Sequence, residues 1–279
     1  MAARFEDGSG LVLVWDGSFA GFLCAVARGA SIAREGSPFP ALRRKDEAPG
    51  LFEAGIEVRT DSKLARRVWD RIGELAGDEG AEECHAAFLS EDSEARAALA
   101  RTIPRLGACK TGGACRAGGA STAGGSTAAP IGLSDSDSMR VMEAARRVRG
   151  QAQKICGLTR FSELADGSWY APIHPDCDIL PLIAGHFAAR YADMRFIIHD
   201  LGRVKALLHR PGDRWRIVPG FALGSARLPV SEKEMEIQRG WRLYFDTVAI
   251  EERKNPRLQS AHMPKKYWPL LPEMGTIAL

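Results

Sequence analysis

The first hundred residues follow a pattern of apolar and polar positions that predicts strands followed by helices. The unbroken apolar run from Leu11 to Trp15 is typical of a buried strand. A turn at Asp16 and Gly17 follows, and then an apolar helical stretch begins for which Ser18 is the natural N-cap. This order predicts a βα unit at the start of the chain.

A second unit of the same kind comes next. The segment "IEVRTDSKLARRVWDRIGELAG" predicts a short strand and then a helix that Asp61 or Ser62 caps. Apolar residues recur along that helix at the spacing of one face, at Leu64, Val68, Trp69 and Ile72. Further short helices are predicted over 81–89 and 94–99. We therefore predict an N-terminal α/β domain, rich in βα units, over residues 1–104.

A low-complexity tract separates this domain from the rest of the chain. Residues 107–134 read "GACKTGGACRAGGASTAGGSTAAPIGLS", which offers too little apolar bulk to pack. We predict a flexible Gly/Ala linker over 105–134. The near-duplication in "ACKTGGACRAGG" allows a metal or phosphate loop as an alternative, although the order GxxxxGK[ST] of a P-loop is missing.

The remaining residues, 135–279, predict helices packed on a sheet. After a helix over "SDSMRVMEAARRVRGQAQKICG", two strands joined by an Asp-Gly turn precede a helix for which Asp178 is the expected N-cap. Three strands follow, and then a helix that opens with the capping box Ser231 and Glu234. The order ββαβββα predicts a C-terminal domain with an antiparallel sheet, and an α+β fold class for the chain.

The same periodicity predicts which helical side chains of this domain reach its core. In the first helix these are Met139, Val141, Met142, Ala145, Val148 and Ile155. In the last helix they are Met235, Trp241, Phe245 and Val248.

Composition narrows the class of protein. At 279 residues and 45% apolar, the chain can bury a large core, and a formal net charge of +3 does not by itself indicate nucleic-acid or membrane binding. The apolar runs fall short of the roughly 20 residues that a membrane span needs, and the acidic start "MAARFEDGSG" is unlike a signal peptide. We expect a cytoplasmic protein without membrane contact.

Cysteine spacing argues against a metal centre. The six cysteines, at 24, 84, 109, 115, 156 and 177, include no close CxxC pair. In a reducing compartment they are expected to be free thiols rather than ligands of a zinc ribbon or an iron–sulfur cluster. We predict neither a bound metal nor a cofactor.

Basic and aromatic residues are concentrated towards the C-terminal end. Between Arg203 and Trp268, Lys and Arg outnumber Asp and Glu, and aromatic residues are interleaved with them at 215, 241, 244, 245, 267 and 268. Cations for phosphates and flat rings for unstacked bases are typical of a nucleic-acid groove. A merely solvated basic face is the alternative.

The segment "NPRLQSAHMPKKYW", residues 255–268, is the densest part of this region. Gln259 and His262 are three positions apart and can share one face of a helical turn, where an amide and an imidazole can contact a base edge or hold a water. Asn255 could instead cap that turn. Tyr267 and Trp268 could instead seal the C-terminus onto the core.

Two other places carry candidate chemistry. In "YAPIHPDCDI", His174 and Asp176 are candidates for acid–base roles, together with His262. One alternative is a metal site that adds Cys177, Asp178 and His186, and the other is a proline-rigid turn that ends in a helix cap. Asp16 and Ser18 follow a predicted buried strand, where α/β sheets bind ligands. An ordinary cap is the alternative for Ser18.

Three stretches of the chain resemble a bacterial family named "probable DNA metabolism protein". They are "VWDGSFAGFLCAV", "GLTRFSELADGSWYAPIHPDCDILPLIAGHFAARYADMRFIIHD" and "AIEERKNPRLQSAHMPKKYW", and the resemblance covers nearly the whole chain except the linker. The residues that match its motifs are Asp16, Gly17, Ser18, Arg160, Tyr170, His174, Asp176, Asp178, His186, Phe187, His199, Asp200, Arg253, Lys254, Asn255, Gln259, His262, Met263, Pro264, Tyr267 and Trp268.

The resemblance implies a role in DNA repair. Members of that family are typically encoded beside a radical S-adenosylmethionine (radical-SAM) protein of DNA modification or repair, and elsewhere the domain is fused to a uracil-DNA-glycosylase-type domain. This chain departs from the family in its long Gly/Ala tract and in ending without a glycosylase domain. Either partner is therefore expected to act in trans. The resemblance supplies no catalytic assignment.

Three hypotheses follow. The first is a protein of DNA repair or DNA metabolism that binds single-stranded or lesion-containing DNA. Its expected DNA contacts are Arg160, Tyr170, Arg253, Lys254, Asn255, Arg257, Gln259, Lys265, Lys266, Tyr267 and Trp268. The second is a glycosylase-like enzyme that acts on a damaged base through His174, Asp176 and His262. The third is a module that docks the radical-SAM protein and touches DNA little.

Overall fold

A computed structural model of the chain describes residues 10–50, 53–106, 135–223 and 228–274. The chain forms two compact units, Met1–Arg147 and Val148–Leu279. Both contain helices and strands, and the predicted α+β class is confirmed. The predicted linker at 105–134 lies outside the described residues except for its first two positions.

The first unit is built on a three-stranded parallel sheet. Its strands are β1 (Leu11–Trp15), β2 (Ala41–Arg44) and β3 (Ala54–Glu57), in the order β2-β1-β3. Its helices are α1 (Phe19–Arg34), α2 (Ser62–Phe88) and α3 (Ser93–Arg105). The predicted βα units are confirmed. The half-exposed β2 was not predicted, because "ALRR" carries neither alternation nor an apolar run.

Local capping explains where the helices of this unit begin. The Ser18 hydroxyl accepts a hydrogen bond from the Gly21 amide at 2.9 Å, and Asp61 accepts from the amides of Lys63 and Leu64. Gly77, at φ 76°, interrupts α2, so the two helices predicted for this stretch follow one another across a kink.

The second unit begins within the helix α4 (Ser136–Leu158). Its strands are β4 (Ser162–Glu163), β5 (Trp169–Ile173), β6 (Phe196–Asp200), β7 (Lys205–His209) and β8 (Arg216–Pro219). Its other helices are α5 (Leu180–Arg190), α6 (Glu232–Val248) and α7 (Pro256–His262), with short 3-10 turns at Glu251–Arg253, Lys265–Leu270 and Pro272–Met274.

The five strands form a single sheet in the order β4-β5-β6-β7-β8. Among the described strands, β5 and β6 pair in parallel, whereas the other neighbours pair antiparallel. The prediction of an entirely antiparallel sheet is therefore wrong at one pair. The reason is that α5 lies between β5 and β6 in the chain, and a helical crossover returns the next strand in the same direction.

The predicted cap of α5 is also wrong. Helix α5 begins after Ile179 without a side-chain cap, and Asp178 instead forms an ion pair with Lys205, at 2.6 Å between Oδ2 and Nζ. A partner on β7, distant in the chain, holds this carboxylate in place of the nearby helix amides.

Helix α6 differs most from its prediction. The Ser231 cap is confirmed, since its hydroxyl accepts from the Glu234 amide at 3.1 Å. The expected core side chains of this helix are nevertheless exposed: Met235, Trp241, Phe245 and Val248. In α4, Val141, Ala145, Val148 and Ile155 are buried as predicted, but Met139 is exposed. Helical periodicity defines an apolar face, and only the tertiary fold decides whether that face is covered.

Among the described helices, none combines the length and the apolar character that a membrane crossing requires.

Candidate functional site

A groove lies between the C-terminal half of α6 and α7. It encloses about 690 Å³. Apolar side chains of α6 line one side, and Leu258, Gln259 and His262 of α7 line the other, with Arg253 and Lys254 in the connecting segment. We call this concave surface the α6–α7 groove. It brings together several residues of the predicted DNA-binding segment.

Local sequence explains the α7 side of the groove. Pro256 occupies the first turn of α7, and the Asn255 side chain accepts a hydrogen bond from the Leu258 amide at 3.0 Å. The capping alternative for Asn255 is therefore confirmed. Gln259 and His262 lie on this one short helix, as predicted, and His262 is exposed.

A pair of stacked aromatic rings stands exposed on α6. The rings of Trp241 and Tyr244 are 5.7 Å apart between centroids and 26° from parallel, and the two residues are 41% and 58% exposed. The Trp241 indole donates to Glu273 Oε2 at 3.2 Å, which holds the ring in place. Rings that are fixed and open on one face suit the stacking of an unpaired base.

Some of the cationic side chains predicted to contact DNA are already paired with carboxylates. Arg253 and Lys254 line the groove, and Arg257 is exposed on α7. Arg160, in contrast, forms an ion pair with Glu273 at 2.7 Å, and Lys266 forms one with Asp176. A cation that already has a carboxylate partner gains less from a phosphate, so Arg253 and Arg257 are the better phosphate ligands.

Two tyrosines predicted to contact DNA are buried. Tyr267 is 3% exposed and its hydroxyl accepts from Gln151 Nε2 at 3.4 Å, so it seals the C-terminal segment onto the unit. Tyr170 is also 3% exposed and hydrogen-bonds to His199 Nδ1 at 2.8 Å. Neither ring has a free face for a base. The half-buried Trp268 donates its indole N–H to the Met263 carbonyl at 2.9 Å.

Burial shifts the pKa of both groups in the Tyr170–His199 pair. It raises the pKa of Tyr170 to about 12. Burial also lowers the pKa of His199, against the opposing influence of a backbone hydrogen bond with Phe221 and the charge of Asp200. Both side chains are therefore neutral at physiological pH, and the pair forms a structural hydrogen bond within the sheet.

His174 and Asp176 lie in the turn after β5. Asp176 pairs with Lys266 and accepts from Gln151 Nε2 at 2.9 Å, while the Arg203 guanidinium donates to the carbonyls of Pro175 and Asp176. The hydrogen bond from Lys266 is the largest influence on the pKa of Asp176, and it outweighs desolvation to hold this pKa below its usual range. An ionised, paired carboxylate is poorly suited to donate a proton.

The third acid–base candidate lies elsewhere. His262 lines the α6–α7 groove. Within the described parts of the chain, no hydrogen bond joins it to His174 or Asp176. The described residues also contain no group of three or more His, Cys, Asp or Glu arranged to hold a metal ion.

One buried ion pair at this end of the sheet was not predicted from the sequence. Asp200 is fully buried and pairs with Arg203 at 3.1 Å. Burial raises the pKa of Asp200, although Arg203 opposes this shift. The sequence did carry a signal, because Asp200 follows the apolar run at residues 196–198, and side chains at the ends of such strands often bind ligands.

In the first unit, Asp16 and Ser18 belong to a closed hydrogen-bond network. Asp16 Oδ1 accepts from the Ser18 amide and hydroxyl, and Oδ2 accepts from the Thr60 hydroxyl at 2.7 Å. Although burial is the largest influence and raises the pKa of Asp16, these hydrogen bonds together hold it below its usual value. A Cβ at Gly21 would overlap Asp16, so the turn packs tightly here. The network ties β1 to the segment that leads into α2.

Comparison with known families covers mainly the second unit. A family model described as a domain of unknown function, DUF4130, matches residues 126–273. This is more than half of the 279 residues, and the chain belongs to this family. No curated protein and no solved structure matches the chain. The matched residues include the α6–α7 groove and all five strands of the second sheet.

Proposed function

We propose that this member of the DUF4130 family binds DNA through the α6–α7 groove and acts in DNA repair or another step of DNA metabolism. The observation that carries the proposal is the exposed Trp241–Tyr244 stack beside a groove whose cations include Arg253 and Lys254. The resemblance to the "probable DNA metabolism protein" family supports the same role. A radical-SAM DNA repair protein and a uracil-DNA-glycosylase-type protein are its proposed partners in trans.

The chemistry of the groove favours DNA with accessible bases. In a duplex the base faces are stacked on one another, whereas a single strand or a disrupted lesion site offers them to protein rings. Stacking on an aromatic side chain contributes about 1–3 kcal/mol per base. Gln259 and His262 add hydrogen-bonding groups along the same groove. We therefore propose single-stranded or lesion-containing DNA as the ligand.

Fluorescence anisotropy tests this proposal. Labelled single-stranded, duplex, uracil-containing and hypoxanthine-containing DNA are titrated with the protein at several salt concentrations. Trp241→Ala with Tyr244→Ala is expected to weaken single-strand binding by roughly 5- to 100-fold. Arg253→Gln is expected to reduce the slope of log K against log salt by about 0.7, the value for one phosphate contact on a single strand.

Arg146→Gln is the matched control, because Arg146 is exposed on α4 and lies outside the groove. It should change both the affinity and the salt slope less than Arg253→Gln does. Absence of binding by the native protein at low salt would overturn the proposal. So would native affinity in the Trp241→Ala, Tyr244→Ala double variant.

A second function, docking of a protein partner, is favoured by the exposed apolar side chains around the groove. Val248, Ile250 and Leu258 line the groove and are exposed, and Ile237 and Leu243 are exposed elsewhere on α6. Apolar patches of this kind mark protein interaction sites. The proposed occupant is the radical-SAM DNA repair protein. Leu243→Ser should then weaken co-purification with that partner while leaving DNA affinity unchanged, and full retention of the partner would exclude this face.

A further inference from the structure

A second concave surface lies on the sheet of the second unit, formed by β6, β7 and β8. It encloses about 470 Å³ and is lined by four arginines and two aspartates, with apolar side chains between them. The arginines are Arg195, Arg210, Arg214 and Arg216. We call this surface the arginine pocket. It shares no lining residue with the α6–α7 groove.

Strand register brings these arginines together. Ile197 on β6 lies opposite Leu208 on β7, which lies opposite Arg216 on β8. Side chains two positions apart on a strand point to the same face of the sheet. On this face, the positions next to Ile197, Leu208 and Arg216 in the direction of the β7–β8 turn are therefore 195, 210 and 214. Arg195, Arg210 and Arg214 occupy these positions just beyond the paired strand residues, and all three line the same pocket.

The positive charge of the pocket exceeds its negative charge, since four arginines line it together with Asp166 and Asp213. Arg195 pairs with Asp166, at 2.7 Å between the guanidinium and Oδ2. Within the described residues, the side chains of Arg210, Arg214 and Arg216 make neither a hydrogen bond nor an ion pair. Like charges on neighbouring strands repel one another, so this arrangement is less stable without an anion than with one.

The shape and lining of the pocket indicate the kind of anion. Guanidinium groups match the oxygen geometry of phosphate and bind it through paired hydrogen bonds. Ile197, Leu208 and Phe221 supply an apolar wall beside the cations. A cavity of 470 Å³ lies within the usual range for small-molecule sites. A bare phosphate would leave the apolar wall unused, whereas a nucleoside phosphate would use both parts.

We propose that the arginine pocket binds a nucleoside phosphate, with the phosphate held by Arg210, Arg214 and Arg216 and the base against Phe221. The same chemistry is offered by a free nucleotide and by the 5′-phosphorylated end of a DNA strand. The site is separate from the α6–α7 groove, and the proposal does not depend on DNA binding there.

Isothermal titration calorimetry of the full chain tests the proposal, with dTMP as the probe and thymidine and inorganic phosphate as comparison ligands. dTMP should bind, and thymidine should bind at least about tenfold more weakly because it lacks the charge-assisted hydrogen bonds. Inorganic phosphate should also bind more weakly than dTMP. Equal affinity for dTMP and thymidine, equal affinity for dTMP and inorganic phosphate, or no dTMP binding would overturn the proposal.

Variants connect any binding to this pocket. Arg210→Gln with Arg214→Gln should reduce dTMP affinity at least about tenfold. Both residues are exposed and unpaired, so the fold should persist, as thermal melting can verify. Arg146→Gln again serves as the control and should bind dTMP normally. Unchanged dTMP affinity in the double variant would show that the nucleotide binds elsewhere and would overturn the assignment.

Competition between ligands separates the two sources of nucleotide. If a 5′-phosphorylated oligonucleotide displaces dTMP and its 5′-hydroxyl counterpart does not, the pocket binds the end of a DNA strand. If neither oligonucleotide displaces dTMP, the pocket binds a free nucleotide. Equal displacement by both oligonucleotides would overturn the requirement for a terminal phosphate. The Trp241→Ala, Tyr244→Ala variant should bind dTMP normally, so failure of the groove proposal and failure of this one give different results.

Discussion

Helices α1 and α6 begin in the same way and are packed in opposite ways. Each is capped by a serine hydroxyl, Ser18 or Ser231, that accepts from an amide in the first turn. Helix α1 buries seven residues, including Phe22 and Leu23. Among the described side chains of α6, only Glu234 is buried.

The difference shows that an apolar helical face can serve two purposes. In α1 the apolar face forms part of the interior of the first unit, and its burial stabilises the fold. In α6 large side chains such as Leu243, which is 70% exposed, remain in contact with water. Exposure of apolar area on this scale is unfavourable in water and therefore indicates a surface available for a ligand or partner.

The largest expected effect contrasts the two faces directly. Phe22→Ala removes a fully buried ring from the first unit and should lower the free energy of unfolding by about 3–5 kcal/mol. Leu243→Ala, a truncation on the exposed face of α6, should change it by less than about 0.5 kcal/mol. Urea denaturation monitored by circular dichroism measures both. A large loss from Leu243→Ala would show that the α6 face is covered.

The next effect concerns the interior of the second unit, which is well packed despite the exposure of α6. Tyr170→Phe leaves His199 Nδ1 buried without its hydrogen-bond partner and should cost about 1–3 kcal/mol. Tyr244→Phe, at an exposed ring, should be nearly neutral. Urea unfolding of the two variants makes the comparison, and equal stabilities would argue against the buried hydrogen bond.

Alkaline titration examines the same tyrosine. Because the pKa of Tyr170 is raised to about 12 in the folded protein, its neutral form stabilises the fold below the unfolded value near 10. That contribution should be lost as the pH rises from about 10 through 12. The ultraviolet absorbance of tyrosinate should show one residue that ionises late, and the Tyr170→Phe variant should lack it.

A smaller effect is expected at the two caps. Ser18→Ala and Ser231→Ala should each cost about 0.5–2 kcal/mol, because a first-turn amide loses its acceptor. The two losses should be similar, since each hydroxyl also donates to a carboxylate, Asp16 Oδ1 for Ser18 and Glu163 Oε2 for Ser231. Hydrogen exchange at the Gly21 and Glu234 amides reports each cap separately. Unchanged protection of either amide would contradict the corresponding cap.

The smallest effect depends on pH and is confined to the start of α1. Since hydrogen bonds lower the pKa of Asp16 in the folded state, its ionised form stabilises the fold above the unfolded value of 3.8. This contribution should disappear as the pH falls through the folded pKa. Asp16→Asn should therefore reduce stability at neutral pH and have little effect in acid. A constant difference between the two proteins across this range would refute the role of the charge.

Features with local causes could be predicted from the sequence. Caps such as Ser18 and Ser231 depend on residues a few positions away, and the α+β class follows from the order of apolar segments. Long-range partners decided the rest. Asp178 left its expected cap position for Lys205, which lies 27 residues along the chain, and helical periodicity could not show that the apolar face of α6 is uncovered.

The candidate sites also divide into one with a local cause in the sequence and one that depends on long-range strand pairing. The α6–α7 groove includes Gln259 and His262 because both lie within one short segment that the sequence marks as unusual. The arginine pocket was missed because Arg195 is separated from Arg210 by 15 positions, and their proximity depends on the pairing of β6 with β7. Once strand register is known, the alternation of side chains identifies such a row directly.

The turn between β7 and β8 sets the composition of that row. Arg210 precedes the sequence Pro-Gly-Asp, Gly212 adopts φ 79°, and Arg214 follows. If one residue were inserted in this turn and the pairing of β8 with β7 slipped by one position as a result, every β8 side chain would change faces. Arg214 and Arg216 would then point away from Arg210 and towards the opposite face. The length of a five-residue stretch thus determines whether the protein has one cationic surface or scattered charges, and a change in loop length could remove the site without altering any arginine.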